Sequence, residues 1–232
     1  MFLGFIDVRI GFISDVHANV IALRAVLEEL DDRRVDIIYN AGDLIGYYPY
    51  PSETIELLRR RAVVSIRGNH DRSVLSVDTN RMNPWAASAV SWTAGHLDPE
   101  GRRYLERLTD SLDFTIGEMA GSMHHGSPDD EDEYIFEERA GQYLLESAGT
   151  RLLVLGHTHI PFVKRVSRGV IINPGSVGQP RDGDRRSSCL VYDVTSGEFE
   201  NVRVDYDIGE VQEAVLEVGL PSSLAERLAH GW

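Results

Sequence analysis

Ala62-Val63-Val64-Ser65-Ile66-Arg67-Gly68-Asn69-His70-Asp71 is the stretch around which the chain is organised. Its first five residues, rich in β-branched side chains, predict a short buried strand. Gly68 allows a tight turn at the strand end. Asn69 then offers a neutral oxygen able to ligate a metal, and His70 a group that can move a proton near neutral pH. Alone the stretch is weak: Arg67 and Asp71 also read as surface charges, and His70 as a turn residue. The other strand ends decide the matter.

Upstream, Arg9-Ile10-Gly11-Phe12-Ile13 reads as a first strand ending at Ser14-Asp15-Val16-His17. Asn19 can cap a helix in which Ile21, Val26, Leu27 and Leu30 recur at helical spacing. Residues 35–39 read as a second strand ending at Gly42-Asp43, and Pro51-Ser52 opens a helix returning to 62–66. This β-α-β-α-β order predicts a parallel sheet covered by helices. Downstream, Asn83-Pro84 and Asp98-Pro99 open two helices, with Trp85 and Trp92 of the first read as core. Strands follow at 113–116 and 120–123, the latter ending at His124-His125-Gly126. A helix is expected over 137–147, then a strand at 151–155 ending at Gly156-His157-Thr158-His159. Hairpins are expected from 162–166 with 170–172 and from 187–192 with 198–204, and Ser223 with Glu226 suggests a capping box on a last helix. No linker or repeat interrupts the pattern, so one domain over 1–232 is expected, with 1–8 a short extension before the first strand.

The net charge is −14, from 37 acids and 23 bases of which Lys164 is the only lysine. Such a field repels polyanions, so a nucleic-acid polymer is not an expected partner. No run approaches the ~18 apolar residues of a membrane span, and the first residues do not form a signal peptide, so no membrane partner and a cytoplasmic location are expected. Cys189, the single cysteine, suits a reducing compartment and reads as core. The acidic run Asp129-Asp130-Glu131-Asp132-Glu133 reads as a solvated loop, its place after His125-Gly126 leaving open a role at a site's rim.

Asp15, His17, Asp43, Asn69, His70, His125, His157 and His159 all follow apolar strands, where ligand groups of open α/β sheets gather. In an extended backbone Asp-x-His and His-x-His would each put two side chains on one side. Carboxylates with imidazoles suit Mn, Fe, Zn or Ni better than Mg or Ca. Two such pairs plus an Asp, an Asn and another His are too many ligands for one open catalytic ion and suit two, a clamp for in-line attack at phosphorus.

The ordered set Asp15-x-His17, Gly42-Asp43-x-x-Gly46, Gly68-Asn69-His70-Asp71, His125-Gly126 and Gly156-His157-Thr158-His159 resembles the calcineurin-like metallophosphoesterase superfamily. The stretch 173–183, beginning Asn173-Pro174-Gly175-Ser176, is similar to its small bacterial and archaeal phosphodiesterase branch. The resemblance implies an α/β fold, a four-layer αββα sandwich with two central mixed sheets. It implies one metal held by Asp15, His17, Asp43 and His159, a second held by Asp43, Asn69, His125 and His157, and Asp43 as the bridge. It implies His70 over the site, outside the ligand set, facing the leaving group. His124 is read as structural, and His96 and His230 as surface residues. The second acid and the Arg that follow Gly-Asp in the protein-phosphatase branch are replaced by Gly46-Tyr47-Tyr48, which argues against a phosphoserine or phosphothreonine phosphatase.

The reading is thus a dimetal phosphoesterase cleaving a small phosphodiester by attack of a metal-bridging hydroxide. Its cofactors would be two divalent transition-metal ions, Mn first, with Fe, Zn or Ni as alternatives; Asn69 and His70 would assist catalysis. A phosphomonoesterase, a dinucleoside polyphosphate hydrolase and a non-catalytic metal-binding scaffold are the alternatives, and a homo-oligomer is left open.

Overall fold

The chain is described by a computed structural model over residues 8–80 and 82–232. The expected N-terminal extension lies, but for Val8, outside these residues. Strand β1 (Arg9–Ile13) leads to helix α1 (Val20–Asp32), whose Asn19 cap accepts from the Ala22 N–H as anticipated. Strand β2 (Ile37–Asn40), helix α2 (Pro51–Arg60) and strand β3 (Val64–Ser65) complete the first β-α-β-α-β unit. Then come α3 (Asn69–Ser76), α4 (Pro84–His96), α5 (Pro99–Arg107), β4 (Ser111–Ile116), β5 (Met119–His124), α6 (Gln142–Ser147) and β6 (Leu152–Val154). The hairpins β7 (Phe162–Val166) with β8 (Gly169–Asn173) and β9 (Ser187–Asp193) with β10 (Glu198–Val204) precede α7 (Ile208–Glu217) and α8 (Ser222–Leu228).

The strands form two mixed five-stranded sheets, ordered β10-β9-β1-β2-β3 and β4-β5-β6-β8-β7. In the first, β1, β2 and β3 are parallel and β9 runs antiparallel to β1. In the second, β5, β6 and β8 are parallel. Strand alternation sorts the side chains between layers. Ile10 and Phe12 meet Leu152, Val154 and Ile172 between the sheets. Leu153 and Ile171 face the opposite way, onto Leu144 and Leu145 of α6. Ile13, Cys189 and Val191 pack under the helices covering the first sheet. The result is the four-layer αββα sandwich.

Several local expectations are corrected. The 62–66 strand is a two-residue edge strand with Val64 exposed, although Val63 and Ile66 are buried. Asn69 and His70 open α3, which replaces the alternative reading of His70 as a turn residue. The helix expected over 137–147 begins only at Gln142, after Gly141 in an extended conformation. No capping box starts α8: Pro221 occupies the cap and the Ser223 hydroxyl is buried without a partner. Helix α7, capped by Asp207, was not anticipated. Trp85 is 53% exposed, and α4 buries its small face of Ala86, Ala89 and Val90 instead.

Candidate metal centre

Five loops meet where the two sheets present the carboxyl ends of their parallel strands. The loop after β1 is zipped to the loop after β2: Asp15, His17 and Ala18 donate their N–H groups to the carbonyls of Gly42, Asp43 and Leu44 at 2.9–3.0 Å. From the other side, Ser176 Oγ and the Gly178 N–H donate to the Asp15 carbonyl at 2.7 and 3.0 Å. The loop after β6 joins through the Gly156 N–H to the His125 carbonyl at 3.0 Å and the His157 N–H to Asp15 Oδ2 at 3.2 Å.

Asp15, His17, Asp43, His157 and His159 have φ of +54°, +53°, +53°, +67° and +61°. The ligand pairs therefore do not come from extended backbone, as the spacing suggested, but from left-handed turns. That conformation costs of order 1–3 kcal/mol per residue and persists only where surrounding bonds over-determine it.

These loops collect all the residues singled out in the sequence. Three groups have ligand atoms within 4.8 Å of one another: Asp15, His17 and His159; His17, Asp43 and His70; Asp43, His125 and His157. His17 Nε2 lies 3.1 Å from His159 Nε2 and 3.7 Å from Asp15 Oδ1. Asn69 Oδ1 lies 3.1 Å from His125 Nε2. Asp43 ties the groups together: Oδ1 accepts the His70 backbone N–H at 2.8 Å, while Oδ2 stands 3.6 Å from His17 Nε2 and 3.4 Å from His125 Nε2. The His70 ring lies edge-on to His17 at 4.8 Å. His124 turns aside to the Ser122 hydroxyl, and His96 and His230 are exposed.

Backbone carbonyls set the tautomers. His125 Nδ1 faces the Ala41 carbonyl at 2.8 Å, His159 Nδ1 the Gln179 carbonyl at 2.6 Å, and His157 Nε2 the Asp132 carbonyl at 3.1 Å. A carbonyl only accepts, so each of these nitrogens carries the proton and the opposite nitrogen of a neutral ring presents a lone pair, an arrangement typical of metal-ligating histidines. His17 has no such carbonyl among the described residues, and its Nδ1 is buried without a partner, as is Asp15 Oδ1.

The electrostatics tell the same story. Burial drives His17 and His159 well below the ordinary histidine range and lowers His157 to about 3 and His70 to about 4. Burial likewise raises Asp15 to about 7. Burial opposes ionisation of Asp43, but the facing His125 and His70 outweigh it and hold the carboxyl well below its usual range. Burial also disfavours a charge on His125, yet the Asp43 carboxylate holds that imidazole up to about 9. Lone pairs and carboxylate oxygens thus converge, with His125 carrying a second ring proton where positive charge is wanted. Two carboxylates, inward-facing imidazoles and an amide oxygen fit divalent transition metals.

Three features escaped the sequence reading. Asp71, read as a surface charge, is fully buried: Oδ2 accepts the N–H groups of Gly68 (2.9 Å) and Leu44 (3.1 Å), and Oδ1 that of Ile45 (3.1 Å). Gly68 is extended rather than tightly turned, and its lack of a side chain serves Asp43, whose Oδ1 would lie 2.1 Å from an added Cβ. Gly156 likewise leaves room for the Ser14 side chain, the Ala41 carbonyl and the His125 ring. The acidic loop is a brace: Asp132 pairs with Arg72 and its carbonyl orients His157, while Glu131 lies 3.4 Å from Arg72. Arg67, on the same side, is bound by both oxygens of Asp110 at 3.0 Å.

Beside Asn69 and His157 opens a cavity of about 490 Å³, lined by Arg72, Ser73, Ser76, Met82 and Tyr134. Among the described residues no helix is long and apolar enough to cross a membrane.

Comparison with known proteins agrees with this geometry. Residues 8–197 match the calcineurin-like phosphoesterase superfamily domain. An uncharacterized protein of Methanocaldococcus jannaschii is 34% identical over 96% of this chain and 98% of its own. The crystal structure of a metallophosphoesterase from Sphaerobacter thermophilus is 38% identical, with a TM-score of 0.84 over 97% of this chain and 100% of that one. A hypothetical protein from Pyrococcus horikoshii, 22% identical, shares the fold at a TM-score of 0.90 over 97% of this chain and 99% of its own. The chain belongs to the calcineurin-like phosphoesterase superfamily.

Proposed function

We propose that this member of the calcineurin-like phosphoesterase superfamily hydrolyses a small phosphodiester with the help of two divalent transition-metal ions, Mn first among them. One observation carries the reading: a single oxygen, Asp43 Oδ2, stands between His17 and His125, at 3.6 and 3.4 Å, and so between the two ligand groups. One ion would be held by Asp15, His17, Asp43 and His159, the other by Asp43, Asn69, His125 and His157. Bound there, the ions would supply Lewis acidity toward the phosphoryl oxygens and lower the pKa of water.

The chain's own groups do the rest. The His70 N–H holds Asp43 Oδ1, so Oδ2 has a fixed direction. The carbonyls of Ala41, Gln179 and Asp132 keep His125, His159 and His157 in the tautomer whose lone pair faces inward. The His70 ring, buried between His17 and Tyr47 with Nδ1 unpartnered, is placed to contact the phosphoryl group or give a proton to the departing oxygen. The net charge of −14 favours a small substrate over a polymer.

The test is a panel of phosphomonoesters, phosphodiesters and dinucleoside polyphosphates, with DNA and RNA as the polymer arm. Each is assayed after reconstitution with Mn, Fe, Zn, Ni and Mg in turn. Preferential hydrolysis of small diesters is expected. Turnover confined to monoesters or to polymers would overturn the assignment.

A further inference from the structure

Arg181 is an unusual cation in this acidic chain. Two other arginines near the centre are paired with acids: Arg72 with Glu131 and Asp132, Arg67 with Asp110. No carboxylate among the described residues pairs with Arg181. Its guanidinium is instead held by neutral oxygens, with Nε and Nη2 donating to Gln179 Oε1 at 3.2 and 2.8 Å and Nη2 to the Tyr47 hydroxyl at 3.4 Å. Such partners fix the direction of the fork without forming an ion pair.

The position is equally specific. The Arg181 backbone N–H donates to the His159 carbonyl at 3.4 Å, and Gln179, two residues earlier, orients the His159 ring. The guanidinium carbon lies 6.0 Å from the centre of the Tyr47 ring, which itself touches His17 at 4.6 Å and His70 at 4.5 Å. A half-buried cation beside a cation site is unfavourable until an anion joins both.

We propose that Arg181 is a substrate-binding residue, its guanidinium taking a non-bridging oxygen of the phosphoryl group at the centre. The inference rests on the phosphoesterase reading given above and names a residue that reading does not use.

The probe is inorganic phosphate, titrated calorimetrically into the Mn-loaded full chain of wild type, Arg181→Met and Arg181→Lys, with metal content and melting temperature measured in each. A hydrogen-bonded charge is worth about ten- to one-hundred-fold in affinity. Arg181→Met should weaken phosphate binding by that factor with metal content and melting unchanged. Arg181→Lys should recover part of it, because charge returns without the fork. Affinity within twofold of wild type in Arg181→Met, or a loss matched by equal loss of metal, would overturn the proposal. If Arg181→Met does not fold, Arg181→Lys decides: a severalfold loss supports the contact and unchanged affinity removes it. A wild type that hydrolyses no phosphoester, with phosphate binding still dependent on Arg181, would sink the hydrolase reading alone. Hydrolysis by wild type with unchanged phosphate affinity in the variants would sink this inference alone.

Discussion

Replacing Asp71 by Asn tests whether a buried acid that touches no candidate ligand atom holds the centre together. Its carboxylate receives three backbone N–H groups, from Gly68 just before Asn69 and from Leu44 and Ile45 just after Asp43. An amide of the same shape can still offer one oxygen to Gly68 and Leu44. Its NH₂ then confronts the Ile45 N–H, which is left without an acceptor. Losing one charge-assisted bond and orphaning a buried donor costs roughly 2–4 kcal/mol. For a chain of this size that is a fall of roughly 5–15 °C in melting temperature. Burial, with the nearby Asp43 charge, holds Asp71 up to about 7, so at pH 8, where the carboxylate is ionised, the charge burial that Asn removes offsets part of this loss. Because the lost bonds orient the loops carrying Asp43 and Asn69, metal affinity should fall about 10–100-fold. Urea denaturation of the metal-free protein reads the first effect and metal titration the second. Arg67→Ala is the control: it breaks the half-exposed pair with Asp110 and should cost under about 1 kcal/mol. An Asp71→Asn protein with unchanged denaturation midpoint and unchanged metal affinity would refute the reasoning.

Two further outcomes are expected. In the metal-free protein His125 is held up to about 9, so folding binds a proton between pH 6.5 and 9 that the unfolded chain does not. The sign follows from linkage: this contribution to stability is complete below pH 6.5 and is lost as pH rises through 9. Metal binding must expel the same proton, so affinity should climb from pH 7 to 9, and at pH 8 the binding heat should vary with the ionisation enthalpy of the buffer; buffer-independent heats would contradict the assignment of His125 as a ligand. His70→Ala should slow esters with alkoxide leaving groups by about 10²–10⁴-fold, nitrophenyl esters considerably less, and leave metal content intact. Parallel losses across leaving groups of graded pKa would leave His70 as a phosphoryl-binding group only.

Much of the architecture was legible because it is written in local signals. Asn19, Asn83 and Asp98 cap their helices as their spacing indicates, and the apolar runs that become β1, β6 and β9 alternate between layers. The residues of the centre were legible too, since polar groups at the ends of several apolar strands have few structural reasons to be there. What remained hidden depends on distant partners. Asp71 looks like any helix-start acid until the loop of Leu44 and Ile45 is laid over it. Asp132 acts through its carbonyl, which no side-chain pattern reveals. The left-handed turns at Asp15, His17, Asp43, His157 and His159 are uncommon for any residue but glycine, though less so for Asp and His, and hydrogen bonds between loops impose them. Trp85 was misread because size was taken for burial, whereas α4 packs by its alanines.

The central claim is that one carboxylate oxygen is shared by two metal sites, and counting metal ions tests it most directly. Wild-type protein, Asp43→Asn and His17→Ala, each stripped of metal and reloaded with Mn, are compared by elemental analysis and equilibrium titration. The wild type should bind two ions per chain, Asp43→Asn should weaken both sites together, and His17→Ala should weaken one and spare the other. A single ion in the wild type, or two ions held with full affinity in Asp43→Asn, would contradict the account.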